Sequence, residues 1–490
     1  MSRILFVVPP YSCWGVELIG TWPPLQVAYM AGSVEAAGHE ARILDVMNKE
    51  GGTFDDIRAE VARFRPDVVV TYDYLPVTGA ISTAVVPAAV EALRIAKEVD
   101  PRTVTLLGGP FPTFRFAELL AESSPVDVVL RGEPEETLPE ALAALAGGRL
   151  EEVEGVAFRR DGEVIATPLR AHVADLDTLR PAWHLLDWPS YHYRVEPQGR
   201  MAAVLTSRGC MMGCSFCSHR AFWRGDWRAR RPAAVVEELR LLVENYGVEF
   251  ITLIDPYPTN DRARWEELLD RIIEAKLGVG LLMETRVEDI IRDEDLLPKY
   301  RAAGVFHLYL GAEGGTDEEL VSLNKGTSVD MNQRAIALAR AHDIMTEASF
   351  MIGHVTETPQ SIERTIASAI RLNPDIAVFP VLTPMPFTPL YEAMKDRVRV
   401  HDYSKYNLAT PIIEPYAMTL DEVAEALGRC YMTFYARKLP EVLALPDGFK
   451  RRYMLSAFRE MMRGFGEHFD LPIPHGMSMD VLSRLAPRRG

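Results

Sequence analysis

Cysteine is scarce in this chain of 490 residues: there are five, too few for the disulfide framework of a small secreted protein. Basic residues are not in excess either, since 53 Lys and Arg stand against 69 Asp and Glu, for a net charge of -16. Proteins that bind nucleic acid neutralise its phosphates with an excess of Lys and Arg. Nucleic acid is therefore not an expected partner of this acidic chain. No apolar run reaches the roughly 18 residues of a spanning helix, and the N-terminus has no signal-peptide cleavage pattern. The sequence therefore predicts a protein of the reducing cytoplasm without a transmembrane segment.

Three of the five cysteines fall within eight positions, as Cys210, Cys214 and Cys217 in SRGCMMGCSFCSHR. This C-x3-C-x2-C spacing lets one short loop aim three thiolates at one inorganic centre, and cysteine thiolates are the ligands of iron–sulfur clusters. A [4Fe–4S] cluster held by three ligands keeps one iron open for a small molecule. Phe216 places an aromatic ring beside the last ligand.

The same loop could instead form a zinc site, with His219 joining the cysteines in Cys3His ligation. Structural zinc sites usually stabilise small domains. This loop instead follows a predicted strand at 203–206 and precedes a long region of alternating strands and helices. The surroundings therefore favour the cluster, and both interpretations stay open on local spacing alone.

The first 150 residues alternate between short apolar runs and helical patterns. The apolar runs predict five strands, at 4–8, 41–46, 67–72, 103–109 and 126–130. Fully apolar strands separated by helices indicate a parallel sheet covered on both faces. We therefore predict a doubly wound, flavodoxin-like domain over 1–150, with its ligand beyond the carboxyl ends of the strands. The first strand is not followed by G-x-G-x-x-G, which argues against a dinucleotide.

Residues 151–200 read as a connector that contains a hairpin pattern and the packing residues Trp183, Trp188 and Tyr191. Beyond it, the β–α alternation resumes over 201–400 with longer units. Six further strands are predicted, at 202–207, 249–255, 280–285, 305–313, 347–352 and 376–382. Six strands that alternate with helices predict a partial (β/α)6 barrel. Barrel enzymes carry their catalytic residues on the loops after the strands, and the cysteine loop follows the first of these six strands. Residues 401–490 are predicted to be helical, with a stripe of Phe and Met that usually packs into a core.

A C-x3-C-x2-C loop after the first strand of a six-unit barrel resembles the radical S-adenosylmethionine superfamily, and the preceding domain resembles the superfamily's cobalamin-binding branch. More narrowly, the segments ELIGTWPPLQVAYMAGSVEAAGH, SRGCMMGCSFCSHRAFWR and LNKGTSVDMNQRAI resemble the anaerobic magnesium-protoporphyrin IX monomethyl ester cyclase family. That resemblance implies a [4Fe–4S] cluster, S-adenosylmethionine and cobalamin as cofactors, and a reductant such as flavodoxin or ferredoxin. It implies oxidative cyclisation or hydroxylation of a large, apolar, tetrapyrrole-like substrate through a 5′-deoxyadenosyl radical. Cobalamin-dependent C-methylation of a natural-product scaffold is the alternative.

The resemblance also implies roles for single residues. Cys210, Cys214 and Cys217 match the cluster ligands one for one. Glu313 matches an acidic position that contacts S-adenosylmethionine, with a capping or salt-bridged glutamate as the alternative. Arg286 is a candidate for the cofactor's carboxylate, or else pairs with Glu284 or Glu288. Asp255 either contacts the cofactor or caps its loop. The positions implied for cobalamin lie at strand ends of the first domain: Tyr74, Thr78, Gly108, Gly109, Gly132 and Glu133.

Three departures from related patterns qualify these expectations. The loop PPYSCWGVELIG contains no histidine, which excludes cobalt ligation by a D-x-H-x-x-G motif. The chain is also shorter at its C-terminus than expected for the cyclase, so the substrate pocket could be built differently. Cys13 stands alone in the first domain, so a second cluster is not expected there, and Cys430 reads as a buried helix residue.

Overall fold

The computed structural model describes residues 1–11, 20–73, 83–121 and 124–468. Three of the positions considered above, Cys13, Tyr74 and Thr78, lie outside these ranges, as does the chain after residue 468. Two seven-stranded sheets organise the described chain, one in each half, and helices pack against both.

The first sheet has the strand order β2-β1-β3-β4-β5-β6-β7. Its first five strands are parallel, which confirms the doubly wound, flavodoxin-like prediction, and β1 and β3 flank the switch point where the order reverses. The hairpin predicted within the connector forms β6 and β7, which extend this sheet by antiparallel pairing with β5. The strands are β1 Arg3–Val8, β2 Glu40–Asp45, β3 Val68–Tyr72, β4 Val104–Gly108, β5 Val128–Leu130, β6 Val156–Arg160 and β7 Glu163–Ala166.

Among the described residues, five helices cover the two faces of this sheet. Thr53 begins the second of them with a reciprocal capping box to Asp56, and Gly148 ends the fifth in the left-handed conformation. The buried side chains of the strands divide between two cores, one on each face, as expected for strands apolar on both sides. The helices are α1 Leu25–Ala36, α2 Phe54–Phe64, α3 Val86–Val99, α4 Pro110–Ala121 and α5 Pro134–Gly147.

The second sheet has the order β16-β15-β14-β13-β12-β9-β8. Six of its strands are parallel and curl into the predicted partial barrel, while β8 pairs antiparallel at one edge. A separate antiparallel pair, β10 with β11, follows the first barrel strand. The strands are β8 His192–Tyr193, β9 Gly199–Val204, β10 Ser207–Gly209, β11 Trp227–Ala229, β12 Phe250–Leu253, β13 Gly280–Thr285, β14 Val305–Glu313, β15 Met345–Phe350 and β16 Ile376–Val378.

Helices surround the barrel and close its far end. The tryptophans of the connector pack as predicted: Trp183 and Trp188 are buried, and the Trp188 ring stacks on Tyr246. The C-terminal stripe also packs inward, with Tyr453 and Phe458 buried. No helix in the described ranges is long and apolar enough to cross a membrane. The helices are α6 Ser218–Trp223, α7 Pro232–Tyr246, α8 Arg262–Ala275, α9 Val287–Arg292, α10 Leu297–Ala302, α11 Asp317–Ser322, α12 Val329–Ala341, α13 Pro359–Leu372, α14 Pro389–Met394, α15 Leu420–Ala444 and α16 Phe449–His468.

Candidate functional site

The cysteine loop lies at the carboxyl end of the barrel strands. It leaves β10 after Gly209 and is closed at its base where β10 pairs with β11. Cys210, Cys214 and Cys217 are free thiols that line one cavity of about 250 Å³. The barrel therefore places all three cysteines where barrel enzymes carry their chemistry.

The donor set of this cavity fits a cluster that binds three thiolates. Among the residues that the structure describes, no fourth cysteine lines the cavity. Within the described ranges, no three His, Cys, Asp or Glu side chains are grouped so that they could hold a single metal ion. Cysteine thiolates are the ligands of a [4Fe–4S] cluster, and this cavity supplies three of them. The fourth ligand of the zinc alternative, His219, is engaged through Nδ1, which accepts a hydrogen bond from Trp223 Nε1 at 3.3 Å.

Burial favours the neutral thiol form of two of the three cysteines, Cys210 and Cys217. Burial raises the pKa of the Cys217 thiol to about 12, and burial raises the pKa of Cys210 as well. Because the ligand form is the thiolate, cluster binding must displace these protons.

Two cationic side chains face the cysteines across the cavity. Arg286 Nη1 lies 3.9 Å from Cys214 Sγ, and Arg286 Nη2 donates a hydrogen bond to the backbone oxygen of Lys325 at 2.7 Å. Arg286 also pairs with Glu288, which is one of its two predicted ionic partners. Arg286 therefore lies beside Cys214 and forms the ion pair that was the alternative to a cofactor contact.

Glu313 forms an ion pair with the second cation. Its Oε1 lies 3.0 Å from Lys325 Nζ, and its Oε2 accepts a hydrogen bond from Ser349 at 3.0 Å. Burial alone would lower the pKa of Lys325, but the charges of Glu313 and Cys214 outweigh burial and raise it. Glu313 is thus salt-bridged, which is one of the two alternatives predicted for it. Its carboxylate also lines the cavity, where an amino group could bind.

Phe216 and Asp255 have different positions relative to the cavity. Phe216 lines it, with its ring centroid 5.9 Å from Lys325 Nζ. Asp255 is fully buried and does not line it. Its carboxylate accepts hydrogen bonds from the backbone N–H and hydroxyl of Thr206 and from the Ser207 hydroxyl, so it anchors the approach to the cysteine loop.

Among the strand-end positions of the first domain, Glu133 lies at a contact between the two halves of the chain. It is buried and pairs with Arg208 of β10 and Arg228 of β11. Glu135 completes the group, with Oε1 2.6 Å from Arg208 Nη2. The Glu133 carboxylate is therefore engaged in ion pairs with two arginines of the second half of the chain.

The three glycines at these strand ends also differ in their surroundings. A Cβ on Gly108 would lie 3.0 Å from the Tyr72 ring, and one on Gly109 would lie 2.6 Å from Asp73 Oδ1, so both allow close packing of β3 and β4. Gly132, by contrast, faces open space. The other Asp73 oxygen accepts a hydrogen bond from the Phe111 N–H, while Oδ1 is buried without a partner among the described residues. An unpaired buried oxygen beside the switch point fits a polar ligand at this edge.

The segment 383–387 joins the cavity to this edge of the first sheet. Met385 lines the cavity, and its sulfur accepts a hydrogen bond from Thr83 of the first domain at 3.4 Å. Two residues further on, Phe387 stacks on Phe114 at a centroid distance of 5.0 Å. The barrel mouth and the strand ends of the first domain therefore face each other, as two cofactors acting on one substrate require.

Sequence reasoning assigned no site role to Lys325 or Glu284, which both line the cavity. Lys325 lies in the LNKG segment between α11 and α12. A loop residue of this kind belongs to no hydrophobic repeat that would predict its position. Glu284 entered only as a partner for Arg286, and the structure shows no such pair. An acidic residue at the end of the apolar run GLLMET was the signal that could have identified it.

Comparison with known proteins agrees with both halves of this description. The sequence model of the Radical SAM superfamily matches residues 204–369, and that of the B12 binding domain matches residues 12–142. The anaerobic magnesium-protoporphyrin IX monomethyl ester cyclase of Rubrivivax gelatinosus is 37% identical over 480 residues, 95% of this chain and 84% of that protein. An uncharacterized methyltransferase of Pyrococcus horikoshii is 30% identical over 448 residues, 90% of this chain and 94% of that protein.

A solved structure shares the whole architecture. The radical S-adenosylmethionine methyltransferase TsrM from Kitasatospora setae, with cobalamin and a [4Fe-4S] cluster bound, matches 95% of this chain and 100% of that chain. The TM-score is 0.68 at 16% sequence identity. At that identity the match establishes the common fold.

The fold and the cysteine cavity define a cobalamin-binding radical S-adenosylmethionine enzyme. Within that class, the chain belongs to the anaerobic magnesium-protoporphyrin IX monomethyl ester cyclase family. Its cofactors are a [4Fe–4S] cluster, S-adenosylmethionine and cobalamin. When bound, these groups supply radical chemistry at unactivated C–H bonds, which side chains cannot perform. The protein contributes the three thiols, the polar groups around Arg286 and Glu313, and a mostly apolar lining.

Proposed function

We propose that this chain catalyses the oxidative cyclisation of a magnesium tetrapyrrole, forming the fifth ring from the monomethyl ester of magnesium-protoporphyrin IX. The proposal is supported by its 37% identity to relatives named for that reaction, across 95% of the chain. Identity at this level extends through the cysteine loop, the barrel and the first domain together, so it concerns the whole catalytic arrangement rather than a shared fold.

The observation that carries the proposal is the composition of the cavity. The thiols, Arg286 and Lys325 line the cavity together with a set of apolar side chains: Met212, Phe216, Met351, Val381, Leu382, Met385 and Leu408. Sites that enclose drug-sized ligands measure roughly 300–1,000 Å³. At about 250 Å³ the cavity takes only the reacting edge of so large a substrate. We place the rest of the macrocycle toward the first domain, along the segment 383–387.

The reaction also needs an external one-electron donor, and we propose a ferredoxin or flavodoxin. The cysteine loop reaches the protein surface, where Met211 is 53% exposed between the first two ligands. A donor can therefore approach the cluster without entering the substrate cavity. Reduced thiols and a low-potential donor belong together in the cytoplasm, which is the location we propose.

The test is incubation of anaerobic enzyme, reconstituted with iron, sulfide and cobalamin, with reductant, S-adenosylmethionine and magnesium-protoporphyrin IX monomethyl ester. We expect 5′-deoxyadenosine together with a product that carries the additional ring. Release of 5′-deoxyadenosine without a new ring would refute the cyclase proposal and leave the radical chemistry standing.

Radical C-methylation is a second candidate, because a relative 30% identical over 90% of the chain is named a methyltransferase. The same incubation, with the methyl group of S-adenosylmethionine isotopically labelled, separates the two functions. Label in the porphyrin product supports methylation, whereas an unlabelled product with a fifth ring supports cyclisation.

A further inference from the structure

Glu284 is an acidic side chain of the cavity that has no partner. It lies near the end of β13 and lines the same cavity as the cysteines. Within the described ranges it forms neither a hydrogen bond nor an ion pair. Barrel interiors are normally filled by branched apolar side chains, so an unpaired carboxyl group there has a cost that calls for a reason.

The register of the barrel places Glu284 beside other acidic groups. It pairs in the sheet with Tyr309 of β14, which pairs in turn with Glu347 of β15. These three side chains therefore occupy one level of the barrel interior. Glu313 lies on the same strand as Tyr309, and Asp255 follows the neighbouring strand β12.

Each of the other three carboxyl groups has a polar or charged neighbour. Glu313 has Lys325, and Asp255 has the hydroxyls and N–H of Thr206 and Ser207. Glu347 Oε2 lies 3.0 Å from His307 Nε2. The positive charge of Lys325 is thus already shared with Glu313, and Arg286 pairs with Glu288. Arg220 also lines the cavity, where its guanidinium donates to the backbone oxygens of Met211 and Met212. In the described ranges, no cation forms an ion pair with Glu284.

This arrangement favours the protonated form of Glu284. Burial, together with the charges of Glu347 and Glu313, raises the pKa of Glu284 well above its ordinary value, against the opposing effect of Lys325. A neutral carboxylic acid in a mostly apolar cavity is a hydrogen-bond donor, and such a donor is strongest toward an oxygen that gains negative charge.

We propose that Glu284 is a substrate-binding residue that, in its protonated form, donates a hydrogen bond to a carbonyl oxygen of the substrate. The inference rests on the proposed function, in which the ester carbonyl of the porphyrin side chain is the acceptor that reaches the cavity. Glu284 neither gains nor loses a proton in this role. The hydrogen bond from Glu284 positions the ester side chain of the porphyrin, whose carbon atoms react. A porphyrin with an alkyl group in that position would leave the Glu284 carboxyl group without an acceptor.

The protonation state can be measured without turnover. Difference infrared spectroscopy of the reconstituted, unreduced enzyme should show the carbonyl stretch of a protonated carboxylic acid at neutral pH. The band should be missing in Glu284→Gln and retained in Glu425→Gln, a control at an exposed position of α15. It should persist when S-adenosylmethionine is added. A band unaffected by Glu284→Gln, or one that S-adenosylmethionine abolishes, would overturn the proposal, because Glu284 would then be an anion.

Binding of the substrate tests the hydrogen bond itself. Equilibrium binding to unreduced enzyme compares magnesium-protoporphyrin IX monomethyl ester with a magnesium porphyrin that carries only alkyl side chains. We expect wild type and Glu425→Gln to prefer the ester, and Glu284→Leu to lose about tenfold of that preference. Glu284→Gln keeps an N–H donor of similar shape, so it should retain most of the preference.

The pH dependence distinguishes a donor from a merely space-filling group. As the pH rises through the pKa of Glu284, the wild type should lose its preference for the ester, whereas Glu284→Gln should not. Equal loss of preference in both proteins would overturn the proposal. Failure of the wild type to bind either porphyrin would instead refute the proposed function, while the infrared result on Glu284 would stand independently.

Discussion

Arg208 Nη1 lies 2.8 Å from Glu133 Oε1, and both side chains are buried where the cysteine loop meets the first sheet. Arg208 belongs to β10, two residues before the first cysteine, and Glu133 follows the last parallel strand of the first domain. Burial alone would raise the pKa of Glu133, but the guanidinium groups of Arg208 and Arg228 together lower it. The base of the cysteine loop is therefore held by carboxylates of the domain that carries cobalamin.

Replacing Arg208 by methionine should destabilise the protein strongly. The variant leaves Glu133 and Glu135 buried beside one remaining arginine, and breaking a buried ion pair from one side costs about 3–5 kcal/mol. Urea unfolding followed by tryptophan fluorescence measures the change. Arg102→Met removes an exposed ion pair with Asp100 and serves as the control, with no shift expected. Equal midpoints for Arg208→Met and wild type would show that the buried pair does not stabilise the contact between the two halves.

Glu313 should contribute to the binding of S-adenosylmethionine through its charge. Glu313→Gln keeps the shape of the side chain but removes the negative charge that faces the cavity beside Lys325. Loss of one charge-assisted hydrogen bond predicts roughly 10–100-fold weaker binding of S-adenosylmethionine. Equilibrium dialysis with the reconstituted enzyme measures it. Glu318→Gln, at an exposed position of α11, is the matched control. Unchanged affinity in Glu313→Gln would mean that this glutamate serves only to neutralise Lys325.

Cys210, Cys214 and Cys217 should be required for cluster binding, whereas Cys430 should not. Replacing Cys210, Cys214 or Cys217 by alanine is expected to abolish incorporation of the [4Fe–4S] cluster, because each thiolate holds a different iron. Cys430→Ala should bind a full complement of iron and sulfide, since Cys430 is buried in α15 away from the cavity. Iron and sulfide analysis with the visible absorption spectrum is the measurement. A full cluster in any of the three loop variants would contradict the assignment.

The parts of this fold that were predicted correctly depend on short stretches of sequence. Apolar runs such as 4–8 predict buried parallel strands wherever they occur, and the cysteines lie within eight positions of one loop. The ionic contact between Glu133 and Arg208 joins residues 75 positions apart, and nothing in either segment specifies the other. Asp255 shows the same limit: its place after a strand predicts either a cofactor contact or a loop cap, and the sequence does not indicate that the hydroxyls of Thr206 and Ser207 donate hydrogen bonds to it. Strand-end position indicates which residues are near a site, and the tertiary contacts decide which of them face it.

Asp45 should make the stability of the first domain depend on pH. It ends β2 and accepts hydrogen bonds from the Tyr191 hydroxyl at 3.0 Å and the Asn48 side chain at 2.8 Å. Burial raises the pKa of its carboxyl from 3.8 to about 6, although those hydrogen bonds oppose the shift. Between these two values the folded state binds more protons than the unfolded state. The free energy of unfolding therefore decreases as the pH rises from about 4 to 6.

The variant Asp45→Asn isolates this contribution from those of other acidic residues. Because asparagine does not titrate, the wild type should lose stability relative to the variant as the pH rises through that window, and the difference should be constant at higher pH. Urea unfolding of both proteins at several pH values measures the difference, and Asp161→Asn in the exposed turn between β6 and β7 provides the control. A difference that does not change with pH, or that changes in the opposite direction, would show that Asp45 is ionised in the folded protein throughout this range. The Tyr191 and Asn48 hydrogen bonds would then outweigh the cost of burial.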